Sequence, residues 1–129
     1  MNKFFTAATV VAMGIATVGA APRDRNTPPV ATLDGNPVSC VNLRNIRNTS
    51  VHGDSVIDFH MTNRRVYRNT LPMSCPGLGF EERFLYKTSI GQLCSVDIIT
   101  VLQAPGLSQG VSCGLGKFQP VVLEKRVAR

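Results

Sequence analysis

The chain has 129 residues, a formal net charge of +6, a pI of about 9.6 and four cysteines. That length holds one domain with a modest core and is too short for a large α/β hydrolase. Two scattered histidines, no carboxylate cluster and no C-x-x-C pair leave a metal centre, an acid–base pair and a thiol-redox site without support, and no cofactor is expected.

Met1-Asn2-Lys3 opens the chain with a positive charge, and Phe4 to Val18 is uncharged and apolar or small throughout. Val18-Gly19-Ala20 then sets small residues at the −3 and −1 positions of a signal-peptidase site. The pattern predicts a cleavable signal peptide over 1–20, cut after Ala20 or Ala21. A membrane anchor is the rival, but a spanning helix needs about 20 apolar residues and this run offers roughly 15. Cleavage removes Lys3 and five of the nine alanines, leaving a mature chain of 109 residues with charge +5. An exported protein resides in the periplasm or is secreted beyond it.

Residues 21–37 are rich in Pro, Asn, Asp, Gly and Thr, and read as a flexible leader. From Val38 to Val122 short β-type runs alternate with turn signals, and this stretch is expected to be the folded domain. Ser39 to Ile46 is the first run, and His52-Gly53-Asp54-Ser55 is a turn. Val56 to Met61 alternates, with Ile57, Phe59 and Met61 on one face and Asp58 and His60 on the other. Thr62-Asn63-Arg64 turns the chain, and Arg65 to Leu71 returns as the second arm of a hairpin. Pro72 to Gly79 is a loop around Cys75-Pro76-Gly77, and Phe80 to Thr88 is a weaker strand. Leu93 to Leu102 is apolar on both faces, as a central strand would be. Ala104 to Gly110 is a turn, and Val111 to Val122 is a last, bulged strand with Gly114 and Gly116 inside it. The tail, 123–129, is a helical turn or disordered.

No window repeats with a period near 3.6, and Val, Ile and Thr outnumber the alanines that remain after cleavage. The expected fold is therefore all-β: a small antiparallel barrel or sandwich of about six strands. Cys40, Cys75, Cys94 and Cys113 read as two disulfides stapling it. In an up-and-down trace Cys40 and Cys94 fall at one end of the sheet and Cys75 and Cys113 at the other. Pairing Cys94 with Cys113 would bridge about 20 Å of strand, whereas a disulfide tolerates less than ~7 Å between Cα atoms. Of the three connectivities, Cys40–Cys94 with Cys75–Cys113 is preferred. Under that pairing the similar strings Cys75-Pro76-Gly77-Leu78-Gly79-Phe80 and Cys113-Gly114-Leu115-Gly116-Lys117-Phe118 lie side by side.

Several motifs invite a chemical reading that their context does not support. Gly106-Leu107-Ser108-Gln109-Gly110 matches G-x-S-x-G, but a nucleophile elbow joins a strand to a helix and is followed by its histidine. Here both histidines precede Ser108, and the motif lies between two strands, so a surface hairpin is expected. His60 and Asp58 share a strand face, a spacing that orients an imidazole, yet such a face is ordinarily a solvated one opposite the core. His52 belongs to a turn. Asp97 is an isolated charge in the most apolar run, expected to pair with an arginine or face water. Asn48-Thr49-Ser50 is an N-glycosylation sequon by pattern, with meaning only in a host that glycosylates exported chains.

The basic residues are better grouped. Arg64, Arg65, Tyr67 and Arg68 lie on and beside one hairpin, with Arg44 and Arg47 in the first strand. Lys117, Lys125, Arg126 and Arg129 lie toward the C-terminus. Arginines beside an aromatic contact phosphates, anionic headgroups or acidic proteins, and alternation dilutes the patch by pointing Arg65 and Tyr67 away from Arg64 and Arg68.

Cys40 followed by Ile46, Asp54 leading into Val56-Ile57, Arg65-Val66-Tyr67-Arg68 before Leu71 and Cys75-Pro76, and Cys94 with Asp97 ahead of Cys113 form an ordered set. Over roughly 38–122 this set resembles an uncharacterised family of small exported bacterial proteins, a domain of unknown function. The resemblance implies export and a shared four-cysteine fold, and it brings no catalytic or binding residues with it. The function expected from the residues is a non-enzymatic envelope or secreted binding module. Its contact surface is Arg64, Arg65, Tyr67 and Arg68, and its partner an envelope protein or an anionic surface component. The alternatives are an inhibitor of an envelope hydrolase acting through Pro72–Gly79, and an enzyme relying on His60, Asp97 or Ser108.

Overall fold

The computed structural model describes Gly14 and residues 26–124. The expected signal peptide, apart from Gly14, lies outside the described residues, as do Lys125, Arg126 and Arg129. The described elements are, in order, β1 (Ala31–Leu33), β2 (Cys40–Asn42), a 3-10 turn (Leu43–Asn45), β3 (Ile46–His52), β4 (Val56–Met61), β5 (Val66–Thr70), α1 (Leu78–Glu81), β6 (Phe84–Tyr86), β7 (Gln92–Cys94), β8 (Ile98–Gln103), β9 (Ser108–Gly114) and β10 (Phe118–Leu123). They form three antiparallel sheets: β1-β10-β5-β4-β3, β6-β8-β9 and the pair β2-β7. The architecture is all-β, and the sheets do not close into a barrel.

Alternation builds the centre. Ile57 and Phe59 of β4 are wholly buried and Met61 nearly so, as their period-2 spacing dictates. Phe59 meets Phe118 of β10 edge-to-face at 5.3 Å and Phe84 of β6 at 6.4 Å, so one ring joins the five-stranded sheet to the three-stranded one. Ile99 and Val101 of β8, Leu93, Leu78, Leu115 and Val41 fill the remaining space. The β4–β5 hairpin is the one the sequence predicts, with Asp58 opposite Arg68 and Phe59 opposite Tyr67.

The expected strands differ from the observed ones where a short-range hydrogen bond breaks an apolar run. Leu93–Leu102 is two strands, because Asp97 turns the chain between them. Its Oδ2 accepts the Cys94 N–H at 2.7 Å, and its own N–H donates to the Cys94 carbonyl at 2.9 Å. Val96, apolar by type, is therefore 87% exposed in a turn. Ser39–Ile46 is cut at the 3-10 turn, where the Asn42 side chain caps the Arg44 N–H at 3.0 Å. Val111–Val122 is likewise divided between β9 and β10, and Phe80 begins the expected Phe80–Thr88 strand inside α1 instead. The described chain thus holds ten strands rather than about six.

The flexible-leader expectation is corrected over Ala31–Leu33. These residues pair with Val121–Leu123 and form one edge of the large sheet. Leu123, expected to open the tail, belongs to β10.

Both disulfides take the preferred connectivity. Cys40 and Cys94 face each other directly in the β2–β7 ladder, and Cys75 after β5 reaches Cys113 on β9 with Cα atoms 5.9 Å apart. The second link ties the loop leaving one sheet to the edge of the other. The same loop is held from below, where Asp54 accepts the Cys75 N–H on its carbonyl and the Gly79 N–H on Oδ1, each at 2.8 Å. Gly79 has no alternative there, since a Cβ would stand 2.7 Å from the Gly53 backbone.

Candidate functional site

The face of the large sheet opposite the core carries a polar row. Ser50, Asp58, Arg68 and Gln119 are register partners on β3, β4, β5 and β10. Arg68 binds Asp58 in bidentate fashion, Nε to Oδ1 at 2.8 Å and Nη2 to Oδ2 at 3.0 Å. Nη2 also donates to the Pro29 carbonyl at 2.9 Å, and His52 Nε2 lies 3.2 Å from Asp58 Oδ2. Asp58 is 0% exposed although it sits on the supposedly solvated face. The chain ahead of β1 covers it, with Pro29 bound to Arg68 and the Asn26 backbone against Gly53. Gln119 anchors the far side by donating to the Gly35 carbonyl at 2.8 Å.

His60 stands next in the row, its Nε2 3.1 Å from the Ser50 hydroxyl, and either atom donates according to the tautomer. Burial lowers its proton affinity below the usual histidine value. Asp58 works against this, while Arg47 and His52 add to it. A hydroxyl beside a neutral imidazole has the elements of a nucleophile–base pair. The arrangement lacks the third group, because Asp58 is engaged by Arg68, with His52 3.2 Å away, and not by the second nitrogen of His60. Among the described residues no three His, Cys, Asp or Glu side chains are placed to hold a metal ion.

The predicted contact residues separate into two groups. Arg68 is engaged in the covered pair, and Tyr67 is half-buried against the core. Arg64 and Arg65 are exposed at the hairpin tip, Arg64 with φ +66° and Arg65 with Nη1 3.5 Å from the Tyr67 hydroxyl. In the sequence Arg44 and Arg47 lie far from this tip. The structure joins them to it through the Thr62 N–H, which donates to the Asn45 carbonyl at 2.8 Å and fastens the β4–β5 turn to the 3-10 turn. Arg44, on that turn, and Arg47, at a bulge between Ile46 and Asn48, are both exposed at the same end. None of the four forms an ion pair among the described residues, where the guanidinium–carboxylate pair is Arg68 with Asp58. The signal that marks the buried pair is present in the sequence: Asp58 and Arg68 are equidistant from the predicted turn.

The other candidates scatter. Ser108 opens β9 opposite Gln103 in the expected hairpin, and Asp97 is occupied by the Cys94 N–H. Lys117 is exposed on the link before β10. The Pro72–Gly79 loop projects Met73, 78% exposed, and leads to Phe80, 88% exposed, while Cys75 beneath them is wholly buried. Asn48 is exposed, and Ser50 of its sequon is held by His60.

Fold and cysteines together define a disulfide-stapled all-β domain whose cross-links are compatible with an oxidising compartment. No protein-family model, curated protein or solved structure matches the chain. The resemblance carried by Cys40, Asp54, Arg65–Arg68, Cys75, Cys94 and Cys113 thus rests on those motifs alone. Among the described residues no helix is long and apolar enough to cross a membrane.

Proposed function

We propose that the protein is an exported, non-enzymatic binding module of the cell envelope or the external medium, and that its arginine-rich end takes an anionic surface component or an acidic envelope protein. The observation that carries this reading is the convergence of Arg44, Arg47, Arg64 and Arg65, exposed and without ion-pair partners among the described residues, on one end of the large sheet. Planar guanidinium groups fit carboxylate and phosphate oxygens two at a time, which suits them to such a surface. The signal-peptide pattern and the two disulfides support an exported location. The mature, oxidised protein should be retained on immobilised polyglutamate and on vesicles of anionic lipid at low salt and released at high salt, because screening weakens exposed charge contacts. The double variant Arg64→Glu/Arg65→Glu should elute early from both. Retention unchanged by that substitution overturns the reading.

A second reading, inhibition of an envelope hydrolase, is favoured by one specific feature. The Pro72–Gly79 loop is pinned by Cys75–Cys113 and by Asp54 while Met73 and Phe80 stand clear of it. A panel of peptidoglycan hydrolases and proteases tests it. Stoichiometric inhibition lost on Phe80→Ala supports insertion of this loop, and the absence of inhibition removes it.

A further inference from the structure

The large sheet ends at β3 and the three-stranded sheet ends at β6. These two free edges line one groove of about 410 Å³. Ile46, Arg47, Asn48 and Thr49 stand on one side, and Phe84 and Tyr86 on the other. Leu102 and Leu107 also line it. Among the described residues neither β3 nor β6 bonds the backbone of any strand except its one neighbour, so each offers a row of peptide groups to the gap. Exposed edges are usually blunted by proline, lysine or an added cover. The stretch Asn48–Val51 of β3 and the whole of β6 hold neither proline nor lysine, and the bulge at Arg47 marks only the start of β3. The groove thus lies between two strand edges that have no partner on that side among the described residues.

Its chemistry narrows the occupant. Arg47 and Arg83 line the rim and are exposed, and Glu82 is the one acidic residue among the lining groups. Ile46, Phe84, Tyr86 and Leu102 are half-buried and give the groove an apolar floor. We infer that this groove binds an extended, acidic segment of a partner protein, which adds to β3 as a strand. Alternate side chains would rest on the apolar floor and the intervening carboxylates would meet Arg47 and Arg83. The proposal goes beyond the arginine-rich end: it shares Arg47 with that end and adds Arg83 and the two strand edges.

The test uses the mature, oxidised protein and a fluorescent peptide of about eight residues alternating valine and glutamate, a length typical of a strand. The expected result is saturable binding, with slowed amide exchange confined to 46–51 and 84–86. Arg83→Glu should weaken it roughly tenfold. N-methylation of alternate peptide nitrogens should abolish it, because ladder hydrogen bonds would be lost while charge is kept. Arg64→Glu/Arg65→Glu should leave it unchanged, which separates this groove from the proposed anionic contact. Equal binding of the N-methylated peptide, protection at residues 62–65 instead, or a dimer that excludes the peptide would each overturn the inference. The N-methylated peptide keeps the test decisive even if Arg83→Glu fails to fold.

Discussion

Asn69 and Gly116 exchange two hydrogen bonds across a sequence separation of 47 residues. Asn69 Nδ2 donates to the Gly116 carbonyl at 2.7 Å, and the Gly116 N–H donates to Asn69 Oδ1 at 2.8 Å. Asn69 is wholly buried, so its amide stands in for a neighbouring strand where the chain enters β10. Replacing it with Leu keeps the branched shape, adds some volume, and leaves both Gly116 groups without their side-chain partner. The expected loss is about 2–4 kcal/mol in urea unfolding of the oxidised protein. Gly116→Ala should cost a comparable amount, because a Cβ there would collide with the Thr70 carbonyl oxygen. A loss below about 0.5 kcal/mol in both would show that the clamp contributes little.

The Asp58–Arg68 pair makes a different kind of prediction. Arg68→Ala removes the bidentate partner of a carboxylate that is 0% exposed and should destabilise by about 3–5 kcal/mol. The double variant Asp58→Leu/Arg68→Met removes both charges and should be less damaging than the single one. Denaturation of all members of the cycle at one pH checks the order. A double variant worse than Arg68→Ala would mean that the pair holds Pro29 and the covering chain more than it holds itself.

His60 gives the expected pH dependence. Burial lowers its proton affinity in the folded state below the unfolded value of 6.5. The unfolded chain therefore binds the extra proton first. The contribution is fully present above about pH 6.5 and is lost as the pH falls through the depressed folded value. His60→Gln should flatten the decline in Tm between pH 7 and pH 5. Equal slopes for both proteins would assign the decline to other groups.

How much of this was legible in the sequence depended on the range of the interactions. The β4–β5 hairpin was readable because alternation in Val56–Met61 and the turn residues Thr62–Arg64 act locally. The break at Ser95–Asp97 was not, because Val96 continues the apolar run and only the Asp97 side chain, bending back to Cys94, ends it. β1 is three residues long, too short for periodicity, and owes its conformation to β10. The burial of Asp58 depends on Pro29, 39 residues from Arg68, and no pattern within β4 announces it. The arginine-rich end escaped for the same reason. Arg44 and Arg64 are brought together by one backbone bond between two turns.

The disulfides span 54 and 38 residues, long enough for each to remove about 4 kcal/mol of unfolded-chain freedom in the entropic limit. Cys75→Ala/Cys113→Ala should lower stability by about 2–5 kcal/mol. It should also release the loop carrying Met73 to proteolysis. Cys40→Ala/Cys94→Ala should leave that loop protected, since Cys40 and Cys94 lie in a separate ladder. Cleavage at the same rate in both variants would contradict a local role for the Cys75 link.

Those same cross-links set when the molecule acquires its shape. In a reducing compartment the two sheets meet through a small core with no covalent tie between them, and the chain is poorly stabilised as a folded body. Oxidation supplies what the core lacks, so the redox state of the surroundings decides how firmly the fold is held together. On the proposed export route, such a delay in folding would keep the form that crosses a pore and the form that binds a partner in separate compartments.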